Sequence, residues 1–461
     1  SLERRDLHQQ LQNTAEHDAC RQGINGFNAA RSQPGRQTQG RRGLAWILGG
    51  TVGSVGEAKH QRHLRLTDLH PHALVALNAA IRGHNREDIA VIGLHPYQFP
   101  SETPYTQLGL TAVRAALGDA GLRWEQVKSA YVGTTSIGMA AGRVLMRHLG
   151  STGLAVTQVE NASASGSFAF RQACMEIATG MSDVVLALGV DKHGDGRRAI
   201  TKDGLERLSD TATIPAVKFA MMARTYLRER GASVDEMAAV AVKNHANAAR
   251  NPYAQFRKPR TLEQVLSSPR VAGDLTVQQC CPRGEGAAAA VLVSGHAIQR
   301  LGLDASRCVR VRASVAGSEL NEREYGDAAT ELVRASASEA FEQAGIAPTE
   351  LDLLELHDAF SVEELIYSEA IGVCEPGEGA RFLARGDSQI GGRCAINASG
   401  GLIGMGHPLG PTGLGQLAEI TRQLRGEAAA QIAGAEVALA HGNGGTLSSQ
   451  STAILGLEEV L

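Results

Sequence analysis

Asn397-Ala398-Ser399-Gly400-Gly401-Leu402-Ile403-Gly404-Met405-Gly406-His407-Pro408-Leu409-Gly410 is the stretch that decides how this 461-residue chain is understood. So many glycines cannot fill a core, but they let backbone come close to a ligand and leave N–H groups pointing at it. His407 stands inside that loop, with Pro408 stiffening the backbone behind it. An imidazole that titrates near neutrality, held in such a loop, is suited to move a proton or to stabilise a developing negative charge. The bland alternative is a glycine-rich turn that happens to carry a histidine.

The Asn-Ala-Ser triplet at the start of the stretch occurs once before, at Asn161-Ala162-Ser163, 236 residues earlier. Ala344-Gly345-Ile346 matches Ala120-Gly121-Leu122 at an offset of 224, and the run 436–442 echoes 183–189 at an offset of 253. Offsets that grow along the chain are what loop insertions do to a duplicated unit. Each copy alternates strand and helix patterns. In the first, residues 88–93, 129–133, 156–160 and 183–189 have strand character. Leu110, Val113 and Leu117 form the stripe of a helix stopped by Gly121, and a second helix runs from about 167 to 179 before Gly180. The small apolar run 286–293 returns to sheet and implies close packing against a neighbour. In the second copy, strands at 309–315 and 351–356 flank the helical stripe Val333, Ala337, Ala340 and Phe341. The expectation is an α/β protein of two similar halves, 87–306 and 307–461, whose related turns face one site.

Two segments break this rhythm. Residues 190–260 carry amphipathic stretches at 214–230 and 234–249 ahead of Asn251-Pro252-Tyr253, and such an excursion is expected to be a lid or an oligomer contact. Residues 1–86 are rich in Arg, Gln, His and Gly, with one short apolar cluster at 44–48. They read as a loosely ordered or non-native extension, with a targeting leader as the alternative.

Composition narrows the partners. Charged residues are 20% of the chain and the net charge is −3, so there is no basic footprint for nucleic acid. Aromatics are only 4%, which disfavours a base-stacking surface, and no apolar run approaches membrane-spanning length. The seven cysteines, with no Cys-x-x-Cys pair, point to a reducing, cytoplasmic setting without disulfides or structural zinc. Cys280 and Cys281 are read as small residues at a buried strand end.

Three side chains are candidates for chemistry. Ser163 follows a strand and precedes a helix, where the first-turn N–H groups and the helix dipole favour an anion; its other reading is a helix cap, a job Ser165 and Ser167 also suit. It lacks the glycines two positions either side that a serine-hydrolase elbow needs. His357, followed by Asp358-Ala359-Phe360, closes a strand at its carboxyl end, the usual place for ligand chemistry in open α/β sheets. His407 is the third. His441-Gly442-Asn443-Gly444-Gly445 reads as a further glycine-rich turn able to donate backbone N–H groups.

Together these residues resemble the thiolase superfamily, and within it the sterol-carrier-protein-type thiolases and bacterial lipid-transfer thiolase homologues. The resemblance covers about 87–461 and rests on Asn161-Ala162-Ser163-Ala164-Ser165-Gly166, Asn251-Pro252-Tyr253-Ala254, His357-Asp358-Ala359-Phe360, Asn397-Ala398-Ser399-Gly400-Gly401 and Gly406-His407-Pro408-Leu409-Gly410. It implies a duplicated five-layer α-β-α-β-α fold, a homodimer, and Claisen chemistry on acyl-CoA substrates in fatty acid, sterol or lipid metabolism. No resident cofactor or metal is implied, coenzyme A entering as the substrate thioester; a small heteromeric partner protein is compatible. By position, Ser163 takes the nucleophile's place, His407 the place of its activating base, and His357 that of the histidine binding the thioester oxygen. Gly444 and the Ser163 N–H form the second oxyanion hole. The departures are chemical. The family nucleophile is a cysteine, and its acid/base cysteine stands where this chain has Ala359 or, in other members, near Gly442 and Asn443. Ser163 as the natural residue and as a replaced cysteine are both compatible with the sequence. A hydroxyl is a far weaker acid than a thiol, so slow or altered acyl transfer is expected. A thiolase-fold aldolase acting on side-chain CoA esters and a non-catalytic acyl-CoA or lipid-binding homologue are the alternatives.

Overall fold

The computed structural model of the protein describes residues 87–192, 215–318, 327–445 and 449–457. The extension 1–86 and the segment 193–214 lie outside the described residues. The first half runs β1 (Glu87–Gln98), α1 (Tyr105–Ala120), β2 (Ser129–Gly133), β3 (Ala155–Val159), α2 (Ser165–Ala178) and β4 (Val184–Asp191). It continues through α3 (Pro215–Arg230) and α4 (Val234–Ala248) to β5 (Glu285–Ser294). The second half runs β6 (Val309–Ser318), α5 (Asp327–Ala344), β7 (Leu353–Glu355), α6 (Ser361–Ile371) and β8 (Ala395–Ile396). It ends with α7 (Gly401–Gly404), α8 (Thr412–Leu424), β9 (Val437–Gly444) and β10 (Ser449–Gly456). No described helix is long and apolar enough to cross a membrane.

The duplication read from the sequence is written into the strand order. From the centre outward one half reads β1-β5-β4-β2-β3 and the other β6-β10-β9-β7-β8, the same permutation twice. In each half the outer pairs are parallel and the inner ones antiparallel. The halves join along β1 and β6 through only two residue pairs, Asp88 with Arg310 and Ile89 with Val309. On either side of this seam, α2 and α8 lie against each other and against strands of both halves, while α1 covers the first half and α5 the second. That is the five-layer order helix, sheet, helix pair, sheet, helix.

Strand β5 shows why its sequence lacks a polar alternation. Ala287, Ala289, Val291 and Val293 pack into the outer core with Leu108 and Val113 of α1. Ala288, Ala290 and Leu292 face the central core with Phe170 of α2 and Leu414 and Leu417 of α8. A strand buried on both faces has no solvent side to mark. On the far side, Val333, Ala337, Ala340 and Phe341 of α5 pack with Leu354, Leu439 and Ile454, as their helical spacing implies. Gly121 and Gly345, in the left-handed region at φ 64° and 68°, end α1 and α5.

Three expectations need correction. The two Asn-Ala-Ser triplets do not share one backbone conformation, because the left-handed residue is Ala162 in the first (φ 46°) and Asn397 in the second (φ 54°). The strands before them also stop at different points: β3 ends at Val159, two residues before its triplet, and β8 at Ile396, immediately before the other. The segment expected to be a lid or an oligomer contact is not one surface excursion, since part of it is core: in α4, Met237, Ala238, Val240 and Ala241 are fully buried, and side chains at Gly400 and Gly404 would run into Ala248. Residues 441–444 are not a turn but the end of β9, whose Gly444 pairs with Ser449 across the ladder; the turn begins at Gly445 (φ 66°).

Candidate active site

Carboxyl ends of the parallel strands and the loops after them supply the site. After β7, His357 turns its Nδ1 toward Glu363 Oε1 at 3.3 Å, and the other oxygen of that carboxylate accepts the Phe360 N–H at 2.9 Å. Glu363 lies in the first turn of α6, three residues past Phe360, the spacing at which a carboxylate reaches back over a helix start. It therefore fixes the histidine ring while ordering the helix. His357 is 4% exposed, and its Nε2 is buried without a partner among the described residues. A buried imidazole nitrogen held open in this way is a hydrogen-bonding valence available to a ligand.

His407 reaches the same place from the glycine-rich loop, its ring perpendicular to that of His357 with centroids 5.3 Å apart. The Thr412 hydroxyl, at the first residue of α8, gives its one hydrogen to Pro408 O (2.6 Å), so it accepts from His407 Nδ1 at 2.9 Å. That arrangement selects the Nδ1–H tautomer and puts the basic lone pair of the neutral ring on Nε2.

Asp191 anchors the loop from the other half of the molecule. At the end of β4 and buried, it accepts from Thr134 Oγ1, Thr135 N and Oγ1, Ser136 N and Oγ, and Gly410 N. The carboxylate thus ties the segment after β2 to the residues just past His407. Nearby, a Cβ at Gly166, in the first turn of α2, would run into Gly410 O, so only glycine lets this helix start lie against the His407 loop. Ser163 stands two residues before α2 begins. It is half-buried and does not cap α2, whose N-cap position, Ala164, has no side-chain cap hydrogen bond. Ser165 instead locks the turn, accepting from Asn161 N (2.8 Å) and donating to Ala162 O (2.7 Å). The capping reading of Ser163 is therefore set aside. Gly442 of β9 faces Ser167 of the same helix, and Gly444 lies two residues on, on the same strand face.

Beneath the loop, Asn251 donates to Ser399 O (2.9 Å), and Gln255 N and Phe256 N bond to Met405 O and Gly404 O. Glu355 takes both the N–H (2.9 Å) and the hydroxyl (2.6 Å) of Ser399. Burial, and then the charge of Glu419, push its carboxyl up to about 8. Among the described residues no group of three or more His, Cys, Asp or Glu is placed to hold a metal ion.

So the structure brings His357 and His407 together and sets Ser163 at the head of the helix that abuts the His407 loop. Asp191, Glu363 and Thr412 were not singled out from the sequence. Only Glu363 carried a local signal, its three-residue spacing from Phe360; the other two act through partners distant in sequence or through a hydroxyl indistinguishable from any other.

Both halves of the chain are similar to known proteins. Residues 97–264 match the thiolase N-terminal domain and residues 315–457 the thiolase C-terminal domain-like family. The benzoylsuccinyl-CoA thiolase subunit BbsB of Thauera aromatica is 34% identical over 364 residues, covering 76% of this chain and 93% of that protein. An acetyl-CoA acetyltransferase of Methanothermobacter thermautotrophicus is 36% identical over 373 residues, 78% of this chain and 97% of its own. Sterol carrier protein 2 of Gallus gallus is 36% identical over 379 residues, 77% of this chain and 68% of that protein. Among solved structures, a chain of the Ltp2-ChsH2(DUF35) aldolase superposes with a TM-score of 0.73 at 28% identity, covering 82% of this chain and 99% of that one. With both halves matched, and with two of these relatives aligned along nearly their whole length, the chain belongs to the thiolase family, in the group that includes sterol carrier protein 2.

Proposed function

We propose that the protein is an acyl-CoA acyltransferase of the thiolase type, forming or breaking a carbon–carbon bond next to a CoA thioester in fatty acid, sterol or lipid metabolism. The observation that carries this reading is the perpendicular His357–His407 pair, 5.3 Å between centroids, beside the start of the helix that follows Ser163. His407 Nε2 takes the Ser163 proton as the hydroxyl attacks the acyl carbonyl, and the Ser163 N–H with Gly444 receives the oxyanion. His357, its ring held by Glu363, turns Nε2 to the enolate oxygen of the second acyl-CoA. Incubation with acetyl-CoA followed by intact-mass analysis is expected to reveal an acetyl adduct on Ser163 that His407→Ala abolishes. Neither adduct nor released CoA from the unaltered protein would count against the proposal.

The tautomer argument gives a sharper expectation. Thr412→Val keeps the shape of the side chain but removes the acceptor for His407 Nδ1–H, so kcat should fall by about 10- to 100-fold with little change in KM. A kcat within twofold of the unaltered enzyme would show that the hydroxyl does not set the ring.

A second reading, an aldolase acting on side-chain CoA esters with a small partner protein, is favoured by the 28% identity to a chain of the Ltp2-ChsH2(DUF35) aldolase. Carbon–carbon cleavage with no acyl-Ser163 would select it.

A further inference from the structure

We infer that Cys281 is the proton donor and acceptor at the α-carbon of the bound acyl-CoA. The inference rests on the acyl-transfer reading above. In that reading His407 Nε2 serves the Ser163 hydroxyl and His357 Nε2 serves the thioester oxygen, so the carbon that gains or loses a proton needs a third group. Ala359, within the His357 loop, has no proton to give.

The segment from Cys280 to Gly284 runs between the two histidine loops. Cys280 pairs with Phe360 and Arg283 with His407 in isolated bridges, and the Cys281 N–H bonds to Ala359 O at 2.8 Å. Gln255 fastens the segment through Arg283 O (3.1 Å), and a Cβ at Gly284 would touch Pro408. These cysteines are therefore not at the end of a buried strand, as their sequence context implied, but in the floor joining the His357 and His407 loops. Cys280 has an extended backbone (φ −119°, ψ 145°), so the two neighbouring side chains leave on opposite faces. The Cys280 thiol is committed to Thr276 O at 3.3 Å. Cys281, on the other face, feels the carboxylates of Glu363, which holds His357 Nδ1, and of Asp358, the next residue after His357 in sequence. Burial first, then Cys280 and those carboxylates, raise its thiol, so that it rests protonated and its thiolate, once formed, is a strong base. An independent pointer to a ligand-binding place at the His357 loop is the buried Nε2 of His357, unpartnered among the described residues, whose other nitrogen is held by the same Glu363.

In the cleavage direction, the electron pair of the breaking C2–C3 bond passes into the enolate held at His357. Cys281 Sγ–H protonates C2, the acyl group remains on Ser163, and the acyl-CoA product leaves. The thiolate left on Cys281 then takes the thiol proton of incoming CoA, whose sulphur attacks the acyl-serine. Condensation runs the same transfers backwards.

The test is deuterium wash-in from D2O at the α-carbon of acetyl-CoA, followed by proton NMR, with each variant's melting temperature recorded. The unaltered protein is expected to exchange, Cys281→Ala to slow exchange at least about 100-fold, and Cys280→Ala to stay within about twofold of the unaltered rate. Adding Ala359→Cys to Cys281→Ala should restore part of the lost rate. If Cys281→Ala does not fold, Cys281→Ser, whose hydroxyl is a much weaker acid, carries the same expectation. Exchange by the Cys281 variant at the unaltered rate overturns the inference, as does absence of exchange in the unaltered protein. Exchange that depends on Cys281 without any acyl-Ser163 adduct sinks the acyl-transfer reading alone; an adduct with Cys281-independent exchange sinks this inference alone.

Discussion

Replacing Ser163 by cysteine is expected to raise the rate of acyl-enzyme formation from acetyl-CoA by about 100-fold or more, with KM changed little. The argument is one of acidity. A free thiol of pKa about 8.5 already supplies a few per cent of thiolate at neutral pH, and a helix start lowers that pKa further. A serine hydroxyl supplies almost no anion, so on the proposed acyl-transfer route its proton is removed during the attack by His407 Nε2, the nitrogen left basic by the Thr412 contact. The geometry asks nothing new of the larger sulphur, since Ser163 is half-buried and does not cap α2. Stopped-flow measurement of CoA release in the first turnover, compared between the two proteins, reads the effect directly. A cysteine variant no faster than the serine protein would mean that attack at residue 163 does not limit the reaction, or does not occur, and would move weight to the aldolase reading.

How far the sequence led depended on whether a residue's partners were close in the chain. The stripes of α1 and α5 follow from spacing alone, because helical neighbours are three and four residues apart. The same holds for the paired histidine motifs, where a residue type stands beside the glycine or acid that defines its use. Strand β5 was identifiable as buried but not as the wall between two cores, since a residue's face is set by what lies across the sheet. His441 to Gly444 was misread as a turn because glycine signals a turn and close backbone approach equally well, and here Gly442 admits Ser167 from the helix beside it. Cys281 was hidden because what ties it to the His357 loop, a bond from its N–H to Ala359 O, comes from a residue far along the chain. Asp191 was hidden most completely: its partners are 55 to 57 residues upstream and 219 downstream.

Asp191 consequently yields the expectation that best separates fold from site. Asp191→Ala removes a buried acceptor of six hydrogen bonds and leaves backbone donors of Thr135, Ser136 and Gly410 without it. Hydrogen bonds to a charged group contribute about 1.5 to 3 kcal/mol each and do not add, so a loss of about 4 kcal/mol of stability is expected. Activity should fall with it, by at least about 100-fold, because the loop carrying His407 loses its tether and small misplacements of a catalytic base are costly. Asp191→Asn divides the two effects. Oδ1 accepts from Thr134, Thr135 N and both groups of Ser136, whereas Oδ2 accepts only from the Thr135 hydroxyl and from Gly410 N at 2.5 Å. The amide will keep its oxygen on the richer side and turn its NH2 toward the poorer one. The Thr135 hydroxyl can rotate and accept from that NH2; the Gly410 N–H cannot, and two donors will face each other three residues beyond His407. The asparagine variant should therefore melt within a few degrees of the unaltered protein yet lose at least about tenfold in kcat. Equal losses of stability and activity in both variants, or none in the asparagine one, would show that Asp191 holds the fold without positioning the His407 loop.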